Sequence, residues 1–244
     1  MIEVEGLSVE YGAGRYGVLA LDDVSLSVKQ GEFVAVVGPS GCGKSTLLFV
    51  LDGLVPPTSG TVKIEGEPVR DIRRDVALIL QDAGLLPWKT VRQNAELALR
   101  IQGRKEDVGG VLEQLGLAGF ERRFPGELSE GMRRRVGIAR ALALHPKVLL
   151  MDEPMANLDS ITRERIQNLI LALWNRLGFT AVLVTHDIEE AVFLGQRIFV
   201  FTPRPGRVAE VVDNPDMGRV DYRDSEAFRA RVHHLREVLV GSAI

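Results

Sequence analysis

Cysteine is almost absent from this sequence, since Cys42 is the only one in 244 residues. A single thiol excludes an intramolecular disulfide framework and fits a reducing compartment such as the cytosol. Long apolar runs are missing too, and no stretch approaches the roughly 18 uncharged residues of a membrane-spanning helix. The N-terminal segment MIEVEGLSVEY lacks the basic and then apolar regions of a signal peptide. These absences predict a cytoplasmic protein.

Excess charge is also missing, because 30 basic and 33 acidic side chains leave a net charge of −3. Proteins that bind nucleic acid by neutralising phosphates are usually basic. We therefore expect no nucleic-acid partner. The hydrophobic content of 45% is typical of a globular protein, and the length is near the upper limit for one domain.

Two segments near the N-terminus alternate apolar and polar residues. IEVEGLSVEY has Ile2 and Val4 two residues apart, and LDDVSLSVKQ has Val24, Leu26 and Val28 at the same spacing. A period of two is typical of half-buried strands. The pattern predicts an N-terminal antiparallel β layer.

Three further segments, GEFVAVVG, KVLLMDEP and TAVLVTHD, are continuous apolar runs that end in glycine or polar residues. Such runs are typical of strands buried on both faces of a parallel sheet. Helical patterns separate them, which favours an α/β fold. Because ligands bind beyond the carboxyl ends of parallel strands, we expect the three polar ends to meet at one edge.

The domain prediction is a single unit over residues 1–244. Residues 1–87 and 145–222 form the core with its β layer, and residues 88–144 form a helical insertion. Residues 223–244 form a C-terminal helix behind a Ser225 cap. Its apolar face comprises Phe228, Val232, Leu235 and Leu239.

The segment GPSGCGKST matches the phosphate-loop pattern G-x-x-x-x-G-K-[ST], between a predicted buried strand and a predicted helix. Its glycines let backbone N–H groups turn toward phosphates, Lys44 reaches the β- and γ-phosphates, and the Ser45 hydroxyl suits Mg²⁺. Cys42 is interpreted as a small loop filler and not as a reactive thiol.

Three polar side chains follow the other two buried strands. Asp152 fits the acid that holds Mg²⁺ in phosphate-loop ATPases, and Glu153 can polarise the attacking water as a general base. His186 leaves its strand at the same predicted edge.

At this point several ordered motifs resemble those of one family over nearly the whole chain, the nucleotide-binding subunits of ATP-binding-cassette (ABC) transporters. GPSGCGKST resembles Walker A, LILQD the Q-loop, LSEGM the signature, VLLMDEP Walker B, ANLD the D-loop and LVTHD the switch-histidine segment. The resemblance implies a RecA-like P-loop ATPase core with an N-terminal antiparallel β layer and an inserted helical subdomain. It also implies ATP and Mg²⁺ as cofactors.

The resemblance assigns roles to single residues. Catalytic roles fall to Glu153, His186, Gln81 and Lys44, and metal binding to Ser45, Gln81 and Asp152. Nucleotide binding falls to Tyr11, which stacks on adenine, and to Gly38, Pro39, Ser40, Gly41, Cys42, Gly43, Lys44, Ser45, Thr46, Ser129, Gly131 and Asp159. Tyr16 is a weaker candidate for the adenine contact.

In this family two subunits face each other head to tail, with each ATP between one Walker A loop and the partner's signature helix. The resemblance therefore implies a second copy of the chain as partner, with Ser129 and Gly131 on the partner's γ-phosphate. Asp159 then communicates across the dimer.

The signature departs from the common LSGGQ at Glu130 and Met132. At about 6 Å and an effective dielectric constant of about 20, one negative charge opposes another by about 3 kcal/mol. We therefore expect the Glu130 carboxylate to point away from the phosphates, where water screens it. Arg133, Arg134 and Arg135 are expected to point mostly to solvent or to acidic neighbours.

The segment QDAGLLPWKTVRQNAEL, the GM of the signature and FTPRPGRV resemble the nitrate/sulfonate/taurine importer subgroup. Leu85, Leu86 and Trp88 lie where this family docks its transmembrane permease, although core packing of the helical insertion explains them equally well. The implied location is the inner face of the cell membrane, with an extracytoplasmic solute-binding protein as an indirect partner.

Three alternatives stay open at this point. Cassette ATPases of DNA repair and chromosome structure share these motifs but use long coiled coils, and this chain has no sustained heptads. An ATPase of an exporter is the second alternative. An ordinary phosphate-loop kinase is the third, and it would lack the signature helix and Glu153.

Overall fold

The computed structural model describes residues 1–12, 17–219 and 221–241. It divides into two compact units, one formed by Met1–Arg73 with Phe179–Ile244 and the other by Arg74–Gly178. Among the described residues, no helix has the length and apolar character needed to span a bilayer. The boundaries predicted at residues 88 and 144 remain a prediction.

Ten strands and eight α-helices are described. In chain order they are β1 (Ile2–Tyr11), β2 (Val18–Val28), β3 (Phe33–Val37), α1 (Lys44–Leu51), β4 (Ser59–Ile64), β5 (Glu67–Pro68), β6 (Val76–Ile79), α2 (Val91–Ala95), α3 (Leu97–Ile101), α4 (Gly109–Gln114), α5 (Glu130–Leu142), β7 (Val148–Asp152), α6 (Ser160–Leu177), β8 (Thr180–Thr185), α7 (Ile188–Leu194), β9 (Arg197–Phe201), β10 (Val208–Asp213) and α8 (Glu226–Gly241).

The first unit contains the predicted antiparallel layer. Its strands lie in the order β2-β1-β4-β5. Ile2 pairs with Val28 and Val4 with Leu26 in antiparallel register, and all four side chains are buried. The alternating pattern therefore marks the buried face of this sheet, as predicted.

Four other strands of the same unit lie in the order β10-β9-β3-β8 within a second sheet. Strand β3 is parallel to β8 on one side and to β9 on the other, and every residue of β3 and β8 is buried. Since Val37 pairs with Thr185, the segments that follow β3 and β8 leave the sheet at the same edge. The prediction of three buried strands is incomplete, because β9 is also almost fully buried.

The second unit contains the parallel pair β6 and β7, with Ile79 opposite Met151. Helices α2 to α5 all lie within the predicted helical stretch, and α5 buries eight of its residues. Helix α6 begins at the side-chain cap of Asp159 and ends at Gly178, which adopts a left-handed conformation at φ 68°.

The C-terminal helix packs within the first unit through buried Phe228, Val232 and Leu235, next to a buried polar contact. Asn214 is fully buried, and its Nδ2 donates to the carbonyls of Val192 and Gly195, each at 2.7 Å. Its Oδ1 accepts from the Tyr222 hydroxyl, and the Phe228 ring packs edge-on against the Tyr222 ring at 5.3 Å. Ser225 accepts from the Phe228 N–H at 3.1 Å, which confirms the predicted cap of α8.

A buried carboxyl ends the helix that follows the phosphate loop. Asp52 is the C-cap residue of α1 and is 8% exposed. Burial alone raises its pKa from 3.8 to about 6. The negative charge also lies at the negative end of the helix dipole, which is the unfavourable end. Ionised Asp52 therefore opposes folding.

We expect Asp52→Asn to stabilise the protein near neutral pH and not in acid. The folded state binds the Asp52 proton more tightly than the unfolded state, so stability falls as pH rises from 3.8 to about 6. Above that range the full cost, of the order of 2 kcal/mol, is present. Urea unfolding at roughly pH 7.5 and pH 4 measures it. The control is the exposed Asp71→Asn, and equal stabilisation at both pH values would contradict the assignment.

Candidate active site

The phosphate loop lies between β3 and α1 in the first unit. Gly43 adopts φ +98°, and a Cβ there would lie 2.6 Å from the Ala20 carbonyl oxygen. Only glycine combines that conformation with so close a backbone approach. The loop therefore turns sharply into α1, with the helix N-terminus at its end.

Lys44 is buried inside this loop at 5% exposure. Its ammonium donates to the carbonyls of Gly38 at 2.8 Å and Pro39 at 3.0 Å. A buried cation surrounded by a loop of backbone groups is an arrangement suited to phosphate oxygens. The predicted partners Gly38, Pro39 and Lys44 are thus in contact with one another.

Cys42 packs within the same loop. It is 1% exposed, and burial raises the pKa of its thiol despite the nearby Lys44 ammonium. A buried protonated thiol is a poor nucleophile. The interpretation of Cys42 as a loop filler agrees with this environment.

Tyr11 ends β1 beside the loop and is 42% exposed. Its hydroxyl donates to Thr46 Oγ1 at 3.4 Å, which holds the ring near the first turn of α1. Tyr11 therefore places a partly exposed aromatic side chain near the start of α1. The weaker candidate, Tyr16, lies outside the described residues.

His186 follows β8 and is exposed at the same edge of the sheet as the phosphate loop. Thr185 and Asp187 form the turn on either side of His186. The Asp187 N–H donates to Thr185 Oγ1 at 3.0 Å, and the Asp187 carboxylate caps α7. Within the first unit, the structure therefore brings the loop and the histidine to one edge.

Gly206 lies against the phosphate loop, and no sequence motif indicated this contact. Its N–H donates to the Ala20 carbonyl at 2.9 Å, and its carbonyl accepts from the Asp22 N–H at 3.0 Å. A Cβ on Gly206 would lie 2.0 Å from the Cys42 carbonyl oxygen. The segment FTPRPGRV, which the sequence linked only to an importer subgroup, thus packs directly against the phosphate loop.

In the second unit, Asp152 ends β7 and is 8% exposed. Glu153 follows with φ +45°, a left-handed conformation that is unfavourable for a residue with a side chain. Strain of this kind is common at functional sites, and it supports separate roles for the two acids.

Gln81 lies two residues beyond β6, and β6 is parallel to β7. It is exposed, and the chain turns again at Ala83, with φ +55°. Arg140 at the end of α5 donates to the carbonyls of Ala83 and of Gly84, the latter at 2.8 Å. Arg140 therefore anchors the segment after Gln81, a role that nothing in the sequence pattern indicated.

The signature segment begins α5. Ser129 is the N-cap, and its Oγ accepts from the Met132 N–H at 3.3 Å, as predicted. Gly131 is buried, and a Cβ there would lie 2.7 Å from Thr162 Cγ2 of α6. Close packing between α5 and α6 therefore explains the glycine at this position.

The three arginines after Met132 are bound to their own unit. Arg133 pairs with Glu130 and donates to the Leu128 carbonyl at 3.0 Å. Arg135 donates to the Leu115 carbonyl at 3.1 Å. Arg134 is 5% exposed and lies beside Glu130, with Nε 3.5 Å from Oε1, so it points to an acidic neighbour and not to solvent, one of the two expected placements.

Asp159 is exposed and caps α6. Its Oδ1 accepts from the Thr162 N–H at 2.9 Å, and this hydrogen bonding lowers the pKa of the carboxyl. The carboxylate is therefore ionised and held at a fixed place at neutral pH.

A buried asparagine organises the segment with Leu85, Leu86 and Trp88. Asn94 is fully buried, accepts from the Leu86 N–H at 2.8 Å and donates to the carbonyl of Lys89 at 2.9 Å. The two leucines are partly covered, whereas Trp88 is 70% exposed. Core packing therefore accounts for Leu85 and Leu86, whereas the Trp88 side chain is mostly exposed to solvent.

The ABC transporter family profile matches residues 21–156. The taurine import ATP-binding protein TauB of Yersinia pestis is 45% identical over 215 residues, covering 86% of this chain and 83% of TauB. This chain belongs to the ABC transporter family. The nitrate import ATP-binding protein NrtD of Synechocystis sp. is 44% identical over 212 residues, covering 85% of this ABC protein and 80% of NrtD.

A solved ABC structure agrees with the fold. The dimeric structure of a post-hydrolysis state of the ATP-binding cassette MJ0796 bound to ADP and Pi has a TM-score of 0.77 and 35% identity. The match covers 87% of this chain and 98% of that one. The predicted fold class, a P-loop ATPase core with an antiparallel β layer, is confirmed, and the protein is an ABC-type ATPase.

We expect Gly206→Ala to weaken ATP binding because its methyl group would displace the Cys42 carbonyl and distort the phosphate loop. Steric overlap of this kind costs about 1–3 kcal/mol, so ATP affinity should fall about tenfold or more. Calorimetric titration with ATP measures this. The control is Gly110→Ala, where a Cβ meets nothing within 4 Å. Unchanged affinity in Gly206→Ala would show that the support is dispensable.

Proposed function

We propose that this ABC ATPase is the ATP-binding subunit of a membrane importer for a small anionic or sulfonated solute, such as nitrate, taurine or another sulfonate. The observation that carries the proposal is the buried Lys44 ammonium within an intact phosphate loop, in a chain whose relatives are named as taurine and nitrate import subunits. These relatives give no support to a DNA-repair cassette or an exporter.

A complete nucleotide site needs two copies of the chain in this proposal. One copy supplies the phosphate loop and Tyr11, and the second supplies Ser129 and Gly131 at the N-terminus of α5, where free backbone N–H groups suit a phosphate. Exposed Ser129 and the dimeric structural relative support this arrangement. Asp159, exposed and fixed at the start of α6, is proposed to face the partner.

In the proposed reaction, a water molecule attacks the γ-phosphorus of ATP in line with the leaving ADP oxygen. Glu153 accepts the proton of that water as it attacks. Lys44 and His186 stabilise the negative charge on the γ-phosphoryl oxygens, and Gln81 orients the water. The left-handed backbone at Glu153 supports its separation from the neighbouring acid.

The proposed Mg²⁺ ligands are Ser45, Gln81 and Asp152, together with phosphate oxygens of ATP. All three side chains offer oxygen, the element that Mg²⁺ prefers, and one carboxylate suffices when the substrate supplies the rest. Asp152 at 8% exposure is a partly desolvated anion at a strand end, which fits a cation neighbour. When bound, the ion neutralises charge that develops on the phosphate oxygens.

The permease is proposed to contact the segment around Trp88. A tryptophan that is 70% exposed, on a segment whose backbone Asn94 holds rigidly, is suited to insertion into an apolar groove. This contact would place the protein at the inner face of the cell membrane. An extracytoplasmic solute-binding protein would deliver the solute and would not touch this chain.

Replacing the proposed general base should trap ATP. We expect Glu153→Gln to lower the ATPase rate by about 100-fold or more, since general bases contribute about 10²–10⁴. The bound ATP should then stabilise a dimer in size-exclusion chromatography. The control is the exposed Glu113→Gln, and undiminished turnover in Glu153→Gln would remove Glu153 from this role.

Replacing the exposed tryptophan should separate ATP hydrolysis from transport. We expect Trp88→Ala to leave the ATPase rate of the isolated protein within about twofold and to weaken co-purification with the cognate permease about tenfold or more, as for a hot-spot residue. The matched control is Ile101→Ala, which removes an even more exposed apolar side chain, 78% exposed, from the same unit. Equal retention of permease by both variants would refute the docking site.

A further inference from the structure

The acid that departs from the common signature is paired with arginines of its own helix. Glu130 Oε2 lies 2.5 Å from Arg133 Nη2, and Oε1 lies 3.5 Å from Arg134 Nε. The Glu130 side chain is 45% exposed, whereas that of Arg134 is 5% exposed. The pair therefore joins an accessible anion to a buried cation.

The Arg134 guanidinium has few other partners. Its Nη2 donates to the Ala156 carbonyl at 3.1 Å. Within the part of the chain that the structure describes, Nε and Nη1 make no hydrogen bond, so the contact of Nε with Glu130 is an ion pair without hydrogen-bond geometry. A buried cation in this state depends on a nearby negative charge.

The direction of the ion pairs has a consequence for the phosphate site. In a helix, the residues at i+3 and i+4 lie one turn closer to the C-terminus than residue i. Arg133 and Arg134 have these positions relative to Glu130. Arg133 and Arg134 therefore draw the Glu130 carboxylate back along α5 and away from the N–H groups of its first turn. Loss of either arginine removes one of the two contacts, and a carboxylate that turns instead toward an anion at that helix end repels it.

We propose that Arg134, together with Arg133, is a positioning residue that holds the Glu130 carboxylate away from the ATP phosphates bound by a second copy of this chain. The inference rests on the two-copy site proposed above. It explains how an acid is accommodated between Ser129 and Gly131. The same guanidinium also binds Ala156, so it links the first turn of α5 to the segment that leads to Asp159.

The test is the ATP dependence of hydrolysis in Arg134→Gln, which keeps a donor for Ala156 and removes the charge. We expect KM for ATP to rise about two- to fivefold, as for loss of one partly exposed ion pair, with a smaller change in kcat. The rise should shrink at high salt because the repulsion is screened. Adding Glu130→Gly should return KM to within about twofold of the wild type.

Two further variants make the result specific. Arg122→Gln removes an exposed arginine of the same unit outside α5, and we expect it to leave KM unchanged. Glu130→Gly alone should change KM by less than about twofold, because the carboxylate is already held away. A large gain in ATP affinity from Glu130→Gly would show that the acid faces the phosphates in the wild type, and it would overturn the proposal.

A purely structural role predicts a different pattern. In that case Arg134→Gln would lower the melting temperature and kcat, and Glu130→Gly would not rescue it, which also overturns the proposal. If Arg134→Gln does not fold, Arg133→Gln tests the proposal instead, because Arg133 is more exposed. The proposal then requires that Arg133→Gln raises KM for ATP and that adding Glu130→Gly returns it toward the wild-type value. Failure of the two-copy site itself is distinguishable, because the wild-type ATPase rate per molecule would then not depend on protein concentration.

Discussion

The close backbone approach around the phosphate loop is the constraint on which the nucleotide site depends. Ala20, Gly43, Cys42 and Gly206 come so near that a methyl group at either glycine would overlap a carbonyl oxygen. This packing leaves the loop one path from β3 into α1. Lys44 then sits inside the loop and holds its carbonyls, so the positive charge is in place before any phosphate arrives.

Helix α5 has the corresponding role in the second unit. Its N-terminus carries the Ser129 cap, Arg134 binds the segment before Asp159, and Arg140 binds the segment after Gln81. Three motifs that are far apart in the sequence are therefore attached to one helix. Helix α5 therefore fixes these three segments relative to one another within the second unit.

Much of this was predictable from local patterns. Alternating residues predicted β1 and β2, continuous apolar runs predicted β3, β7 and β8, and Ser129 and Ser225 were identified as caps. Strand β9 was not predicted although RIFVF is an apolar run of the same length as β3 and β7, because no recognisable polar motif follows it. The two acids at the end of β7 were predicted by position, but the left-handed backbone conformation of Glu153 was not.

The sequence by itself determined the fold class, the phosphate loop and the family, because glycine spacing, apolar period and motif order are properties of neighbouring residues along the chain. Only the tertiary structure decided what Asn94, Arg134, Arg140 and Gly206 do. Arg134, Arg140 and Gly206 each meet a backbone carbonyl that is far away in the sequence, and Asn94 binds the carbonyl of Lys89 in the loop before its own helix. Every residue has the same backbone carbonyl. The pattern of side chains along the sequence therefore does not show which carbonyl a donor or a glycine from another part of the chain will contact.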